Sequence, residues 1–592
     1  MGLKSGKKRG KREIAPDEIL IDSTNISSFN TDQMEGRLEK PISRSTLYFL
    51  VGSAVIIFAV YLFQAWNMQV VNGNSYMTRS QNNLLRPVPI FAGRGVIYDR
   101  NGIALAWNAP SSNLTATSSA TSSSIFTEDP VAKREYASST GLAHVLGYVQ
   151  YPSKDSNGFY YQEDFQGVDG VEKYYNAQLQ GDNGSRLIEV DAHGHVVSQN
   201  VIKPPVQGEN ITLSIDSRVQ SALYHNLEDI ATRVGFAGGA GVIMDVHSGE
   251  VIAMTSYPEY SPQVMSDKSD SKAVNAYVND NVNLPFLDRA VDGLYTPGSI
   301  VKPYMAMGVL TEGVIDPSTV IVTTGSISLP NPYDSTKSTV FRDWKNLGAL
   351  DLRHAIAMSS DAYFYIVGGG YKDQKGLGIA NIDKYLSMFG FGSAIPASFF
   401  TGTRPGTIPT PAWKKATFGE DWFLGDTYHT SIGQYGFQVT PVQVVRAVAS
   451  IANSGILLVP TIMKSDASSA TSSTTSSATS SAPNIQKIID LPQKNFQIVR
   501  EGMRLGTMQG TSVALNVPFA HLAGKSGTAE LGVSKDKVNS WITGFWPYEN
   551  PKYAFAVTLE KGSVHNLIGA AAAMRQQLDW MHNNTPEYFS TN

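Results

Sequence analysis

The sequence contains no cysteine. That absence excludes disulfides, thiolate nucleophiles, iron–sulfur clusters and cysteine-ligated zinc together. Positive charge is also scarce. The chain has 47 Lys and Arg against 51 Asp and Glu, a formal net charge of -4, so no bulk field exists to hold a nucleic-acid backbone. No glycine-rich phosphate loop follows a strand, and His193 and His195 in DAHGHVV lack carboxylate or cysteine partners at ligand spacing. These absences predict no cofactor, no metal and no nucleic-acid partner. What the chain does have is size and apolar content. With 592 residues, 42% of them hydrophobic and 17% charged, it is long enough for several folded units and far from compositions that stay disordered.

One stretch is short of charge altogether. From Ser45 to Thr78 there is no Asp, Glu, Lys or Arg, and residues 47–63 read LYFLVGSAVIIFAVYLF. As a helix, residues 46–66 would be about 31 Å long at about 1.5 Å per residue, matching a hydrocarbon core of about 30 Å. A cleaved signal peptide would be shorter, nearer the start and followed by small residues, whereas Gln64, Ala65 and Trp66 follow here. Lys4, Lys7, Lys8, Arg9, Lys11 and Arg12 precede the span, and Arg44 sits at its edge. No Lys or Arg follows until Arg79. The positive-inside rule then places the N-terminus in the cytoplasm and the bulk of the chain outside, anchored once in the lipid of the cell membrane.

Two low-complexity tracts, residues 111–124 and 465–483, are rich in Ser and Thr and lack bulky apolar residues. They cannot offset their ordering entropy and read as surface loops. Elsewhere alternation and turn signals are strong. Residues 239–258, GAGVIMDVHSGEVIAMTSYP, read as a hairpin turning at His247, Ser248 and Gly249, and residues 540–560 as a second one turning between Pro547 and Pro551. Helical patterns cover residues 217–230, 303–310, 352–367, 440–453 and 570–581. Hairpins and helices together predict an α+β fold.

A Ser-x-x-Lys pair at the start of a helix puts a hydroxyl and an amine on one face, where the amine can reach the oxygen. Ser5/Lys8, Ser269/Lys272 and Ser534/Lys537 occur in polar or charged surroundings and read as solvated surface. Ser299/Lys302 differs. It follows Tyr295-Thr296-Pro297-Gly298 and precedes an apolar run, so it stands where a turn opens a helix. Two further groups follow in order: Ser359-Ser360-Asp361 in HAIAMSSDAYFY, and Lys525-Ser526-Gly527-Thr528 in HLAGKSGTAEL.

These three groups, in this order, resemble the S-x-x-K, S-x-N and K-[ST]-G signature of penicillin-binding proteins and serine β-lactamases. The resemblance extends to RGVIYDRNGIAL at 94–105 and GVDGVEKYYNAQLQG at 167–181, which look like pedestal motifs of the class B branch. WFLGDTYHTSIGQ at 422–434 resembles its elongation-type members, often called penicillin-binding protein 2. The resemblance implies a cytoplasmic tail over 1–45, a membrane helix over 46–66 and an elongated β-rich pedestal over 67–205. A transpeptidase domain follows over 206–592, an antiparallel sheet packed between helices and interrupted by an insertion at 465–483.

It further implies a peptidoglycan D,D-transpeptidase. Ser299 would attack the carbonyl between the last two D-alanines of a stem peptide, and a second strand's amine would resolve the acyl-enzyme. Lys302 would take the serine proton. A lysine does so only when neutral, against a reference pKa of about 10.4, so burial and a second ammonium, Lys525, are expected to depress it. Ser359 would relay protons. Lys525, Ser526 and Thr528 would hold the substrate carboxylate, with Gly527 leaving room. The backbone N–H groups of Ser299 and Thr528 would form the oxyanion hole. Asp361 replaces the commoner asparagine and is expected to position Lys302. Implied partners are stem peptides, β-lactams bound covalently, and a membrane glycosyltransferase of the SEDS type, since no polymerising domain is recognisable. Two other readings stay open: a β-lactam sensor or inactive scaffold, and a serine hydrolase of carboxypeptidase or β-lactamase type.

Overall fold

The computed structural model describes residues 43–77, 85–109, 131–156, 160–190, 196–331, 334–396, 399–400, 403–465 and 483–590. The basic residues 4–12, the tract 111–124, nearly all of the tract 465–483, and His193 and His195 lie outside them. The chain forms two compact units, Met1–Leu85 and Arg86–Asn592.

In the first unit, helix α1 (Arg44–Trp66) is capped by Ser43, whose hydroxyl accepts from the Thr46 N–H. It continues through a π turn, Asn67–Val71. No residue of α1 is buried. Apolar side chains face outward all round it, which is stable in water for no helix but suits lipid. Among the described residues it is the one helix long and apolar enough to cross a membrane, running over Arg44–Val71.

The second unit holds the sheet on which the site is built. Helix α2 (Ser217–Val234) starts at Asp216, whose carboxylate accepts from the Arg218 N–H, and stops at left-handed Gly235. Strands β1 (Gly238–Asp245) and β2 (Val251–Tyr257) form the first predicted hairpin. Late in the chain come β3 (Ala523–Leu531), β4 (Lys537–Trp546) and β5 (Tyr553–Ser563). Their order is β2-β1-β5-β4-β3, all antiparallel. Residues from both ends of the chain therefore share one sheet, with Val242 opposite Ala556.

Both sheet faces are covered. Leu223 and Leu227 of α2 pack with Ile243, Val557 and Leu559, joined by Met574 and Leu578 from the C-terminal segment Ala570–Asn584. A second cluster contains Val242, Met254 and Ala556 with Val445 and Val448. Those two valines belong to helix Pro441–Ala452, which opens on a capping box between Thr440 and Gln443. The antiparallel sheet between helices predicted from the sequence is present.

One expected helix is in fact two. Residues 352–367 divide into Leu352–Ala357 and Asp361–Gly369. At the break Ser359 takes a left-handed backbone, φ 58°, and the Ser360 hydroxyl accepts from the Tyr363 N–H as the N-cap of the second helix. A serine pair followed by an acid competes for backbone donors and restarts the helix instead of continuing it.

Residues of the two early motifs meet in the same unit. Glu172 accepts from Arg94 at 2.6 Å and from Arg134 at 2.8 Å, all three side chains being fully buried. Asp99 of the first motif accepts from the Ser217 hydroxyl at 2.8 Å, tying this region to the start of α2.

Candidate active site

Ser299 lies on a 3₁₀ turn, Gly298–Val301, that opens helix α3 (Lys302–Thr311), as the sequence placed it; the helix begins with the lysine. Gly298 has φ 58°, and a Cβ there would lie 2.7 Å from the Thr528 carbonyl oxygen. The turn is therefore pressed against β3, and only glycine fits the contact.

Lys302 is completely buried. Its Nζ donates to Asp361 Oδ1 at 2.6 Å, to the Ser359 carbonyl at 2.8 Å and to Ser359 Oγ at 3.4 Å. The acceptors come from the break between helices α4 (Leu352–Ala357) and α5 (Asp361–Gly369) and from the first residue of α5. Ser299 Oγ is not among them. The sequence spacing pointed Lys302 at Ser299, but a carboxylate in contact is a stronger acceptor than a neutral hydroxyl and claims the amine.

Lys525 approaches from β3. Its Nζ donates to Ser359 Oγ at 2.7 Å and to the Ser526 carbonyl at 2.8 Å. Ser359 Oγ thus accepts from both lysines, although Ser359 and Lys525 are 166 residues apart in sequence. Burial pushes the Lys525 amine well below the usual lysine range; the neighbouring Lys302 adds to this and Asp361 opposes it. Lys525 donates to neutral acceptors, and its downward shift comes from burial first and from the neighbouring Lys302 second.

Above the two amines runs a groove of about 1220 Å³ lined by Ser299, Ser359, Asp361, Ser526, Gly527 and Thr528. Lys302 and Lys525 lie beneath its floor. The structure thus gathers all eight residues singled out in the sequence, six on the groove and two below it. Ser526 Oγ is hydrogen-bonded to Thr511 Oγ1 at 2.7 Å. In β3 the register sets Gly527 opposite Trp541. A Cβ on Gly527 would stand 2.8 Å from the Pro297 carbonyl oxygen and 2.9 Å from Ile300 Cγ2. Gly527→Ala is accordingly expected to push β3 off the Ser299 turn and slow acylation about 100-fold, read from the rate of labelling by a fluorescent penicillin.

Asp361→Asn has a milder expected effect. An amide oxygen can still accept from Lys302, so acylation by a β-lactam should stay within about tenfold of wild type, measured by the same labelling. A complete loss would mean that the negative charge itself is required.

Trp344 lines the groove without having carried a sequence signal, and His429 and Gln434, inside the 422–434 stretch but not singled out, line it too. His429 rests against Phe341 with ring centroids 5.3 Å apart, and burial lowers its pKa below the ordinary histidine range. None of these follows a spacing rule; Thr511 could be found only by knowing that β3 passes beside it.

Compared with known proteins, residues 239–578 match the penicillin-binding protein transpeptidase domain, and residues 125–213 the penicillin-binding protein dimerisation domain. The peptidoglycan D,D-transpeptidase MrdA of Acinetobacter baumannii is 30% identical, over 88% of this chain and 86% of its own. MrdA of Escherichia coli K12 is 29% identical, over 91% and 94%. Among solved structures, PBP2 of Pseudomonas aeruginosa in complex with WCK 5153 is 29% identical with a TM-score of 0.64, covering 85% of this chain and 100% of that one. PBP2 of Helicobacter pylori in complex with MreC is 26% identical with a TM-score of 0.65, over the same shares.

Proposed function

Because this chain belongs to the penicillin-binding protein transpeptidase family, we propose that it cross-links peptidoglycan during cell elongation as a membrane-anchored serine D,D-transpeptidase. One observation carries the reading: a groove-facing hydroxyl at Ser299 beside a hydroxyl, Ser359, that accepts from two buried amines.

In the first half-reaction Ser299 Oγ bonds to the carbonyl carbon between the terminal D-alanines. The C–N bond breaks and D-alanine leaves. The serine proton passes toward the Lys302–Ser359–Lys525 chain and on to the leaving amine. Burial favours the neutral form of Lys525, which suits that amine to accept the proton. Lys302, ion-paired with Asp361, holds Ser359 in place. In the second half an acceptor amine from another strand attacks the ester, returns the proton to Ser299 and forms the cross-link. The N–H groups of Ser299 and Thr528 stabilise the oxyanion in both halves. Ser526 and Thr528, on the groove edge of β3, take the substrate carboxylate, with Lys525 adding positive character when protonated. β-Lactams enter the same groove and acylate Ser299.

Residues 1–45 form the cytoplasmic tail, 46–66 the membrane helix, 67–205 the pedestal and 206–592 the transpeptidase domain with its insertion at 465–483. The lysines and arginines before the span keep the N-terminus inside. A SEDS-type membrane glycosyltransferase supplies glycan, and a protein like the MreC in complex with PBP2 of Helicobacter pylori is a second partner. The deciding experiment incubates purified full-length protein with a depsipeptide donor and an acceptor amine and analyses products by mass spectrometry. Cross-linked product is expected. Free acid alone would make the protein a hydrolase, and a lasting adduct without turnover a sensor.

A further inference from the structure

The turn that carries Ser359 is not held by its own helices alone. Asp343 follows the hairpin of strands Ser326–Asn331 and Asp334–Arg342 and closes its base, its N–H donating to the Gly325 carbonyl at 2.9 Å. From there its carboxylate reaches across to the α4–α5 break. Asp343 Oδ2 accepts from Ser360 Oγ at 2.6 Å and from the Ala362 N–H at 3.0 Å. The Ala362 N–H is one of the donors that the first turn of a helix leaves unsatisfied, so Asp343 caps α5 from outside the helix. The adjoining Trp344 donates its indole N–H to the Met358 carbonyl at 3.1 Å. Met358 and Ser360 flank Ser359 on either side. Three hydrogen bonds from two consecutive residues therefore bracket Ser359, whose backbone is held left-handed at φ 58°.

We propose that Asp343, aided by Trp344, is a positioning residue of this active site: it ties the hairpin wall of the groove to the Ser359 turn and so fixes Ser359 and Asp361 against the two buried lysines. The inference deepens the transpeptidase reading and rests on it. Its consequence is mechanical. Thr339, Phe341, Arg342 and Trp344 line the groove on the same hairpin segment, so a strand of substrate lying against that wall is coupled to the position of Ser359. Without the tie, the turn is free to relax toward the ordinary backbone region, and Ser359 Oγ leaves the point between the amines.

The test compares Asp343→Ala, Asp343→Asn and Trp344→Phe in the full-length protein. The readouts are acylation by a fluorescent penicillin as a function of pH, and thermal unfolding. Asp343→Ala is expected to slow acylation about 100-fold. Its acid limb should move to higher pH, because an opened turn hydrates Lys525 and burial is the main cause of that lysine's depression. Asp343→Asn keeps one acceptor oxygen at the turn and should recover to within about tenfold of wild type, with the acid limb restored. Trp344→Phe keeps the ring and loses the N–H, and should slow acylation about fivefold. Wild-type kinetics in Asp343→Ala would overturn the proposal, as would equal losses in Ala and Asn variants with an unmoved acid limb. Should Asp343→Ala fail to fold, Trp344→Phe decides: slower acylation with a displaced limb supports the tie, and wild-type behaviour overturns it. Failure of the wild-type protein to be acylated would instead overturn the transpeptidase reading itself.

Discussion

Ser299→Ala is expected to abolish both acylation by penicillin and cross-linking of stem peptides, by about 10⁴-fold or more. The serine is the only residue in this account that forms a covalent bond, so no neighbour can substitute for it. Ser359 faces the groove but its hydroxyl is held between two lysine amines, and Ser526 is spoken for by Thr511. Because Ser299 Oγ is outside the hydrogen-bond set of Lys302, its removal leaves no buried donor stranded. Stability is therefore expected to stay within about 1 kcal/mol of wild type. Labelling by fluorescent penicillin alongside thermal melting checks both halves; an adduct in the alanine variant would move the nucleophile elsewhere.

Lys525→Met is the second large effect. Methionine matches the length of the side chain and removes the amine, which takes away the group prepared to accept a proton. Acylation is expected to fall about 10³-fold. Stability should respond with a definite sign. The native amine titrates well below the usual lysine range, while the unfolded one titrates near its reference value of about 10.4. Between those two values unfolding takes up a proton, so the wild-type protein gains stability as pH rises through that window; below the native value the burial cost is constant and at its largest. The methionine variant lacks this dependence. Melting measured at neutral and at alkaline pH should show wild type gaining on Lys525→Met as pH rises. Parallel curves would mean that Lys525 is not depressed.

The parts of this molecule that repeat a local rule were legible in its sequence. The hairpin β1–β2 announces itself by alternation around His247-Ser248-Gly249, and β4–β5 by alternation around its prolines. Helix Pro441–Ala452 carries its capping box in the letters T-P-V-Q. The membrane helix needed only a count of uncharged residues, though its helical run extends to Val71. The three motifs singled out eight residues that the fold brings to one groove, because their order carried information that no single motif had.

What stayed hidden depended on non-local contacts. In HAIAMSSDAYFY the serine pair can restart a helix, but the break at Ser359 is fixed by Ser360 turning its hydroxyl to a backbone donor and to Asp343, a partner beyond these letters. The division of labour between the lysines was equally invisible. Spacing placed Lys302 beside Ser299, whereas the carboxylate of Asp361 draws it to the helix break and leaves Lys525 as the amine without an ionic partner. Proximity along a helix predicts that groups can meet; which acceptor a charged amine selects depends on what the rest of the fold brings there.

The central claim is that Ser299, at the groove formed by the three motifs, becomes the acyl-enzyme. The most direct measurement is peptide mapping by mass spectrometry of full-length protein after exposure to penicillin. A mass increase equal to one whole β-lactam, confined to the peptide bearing Ser299 and absent from those bearing Ser359 and Ser526, is the predicted result. An adduct mapped to either of those serines, or none on a folded protein, would contradict it.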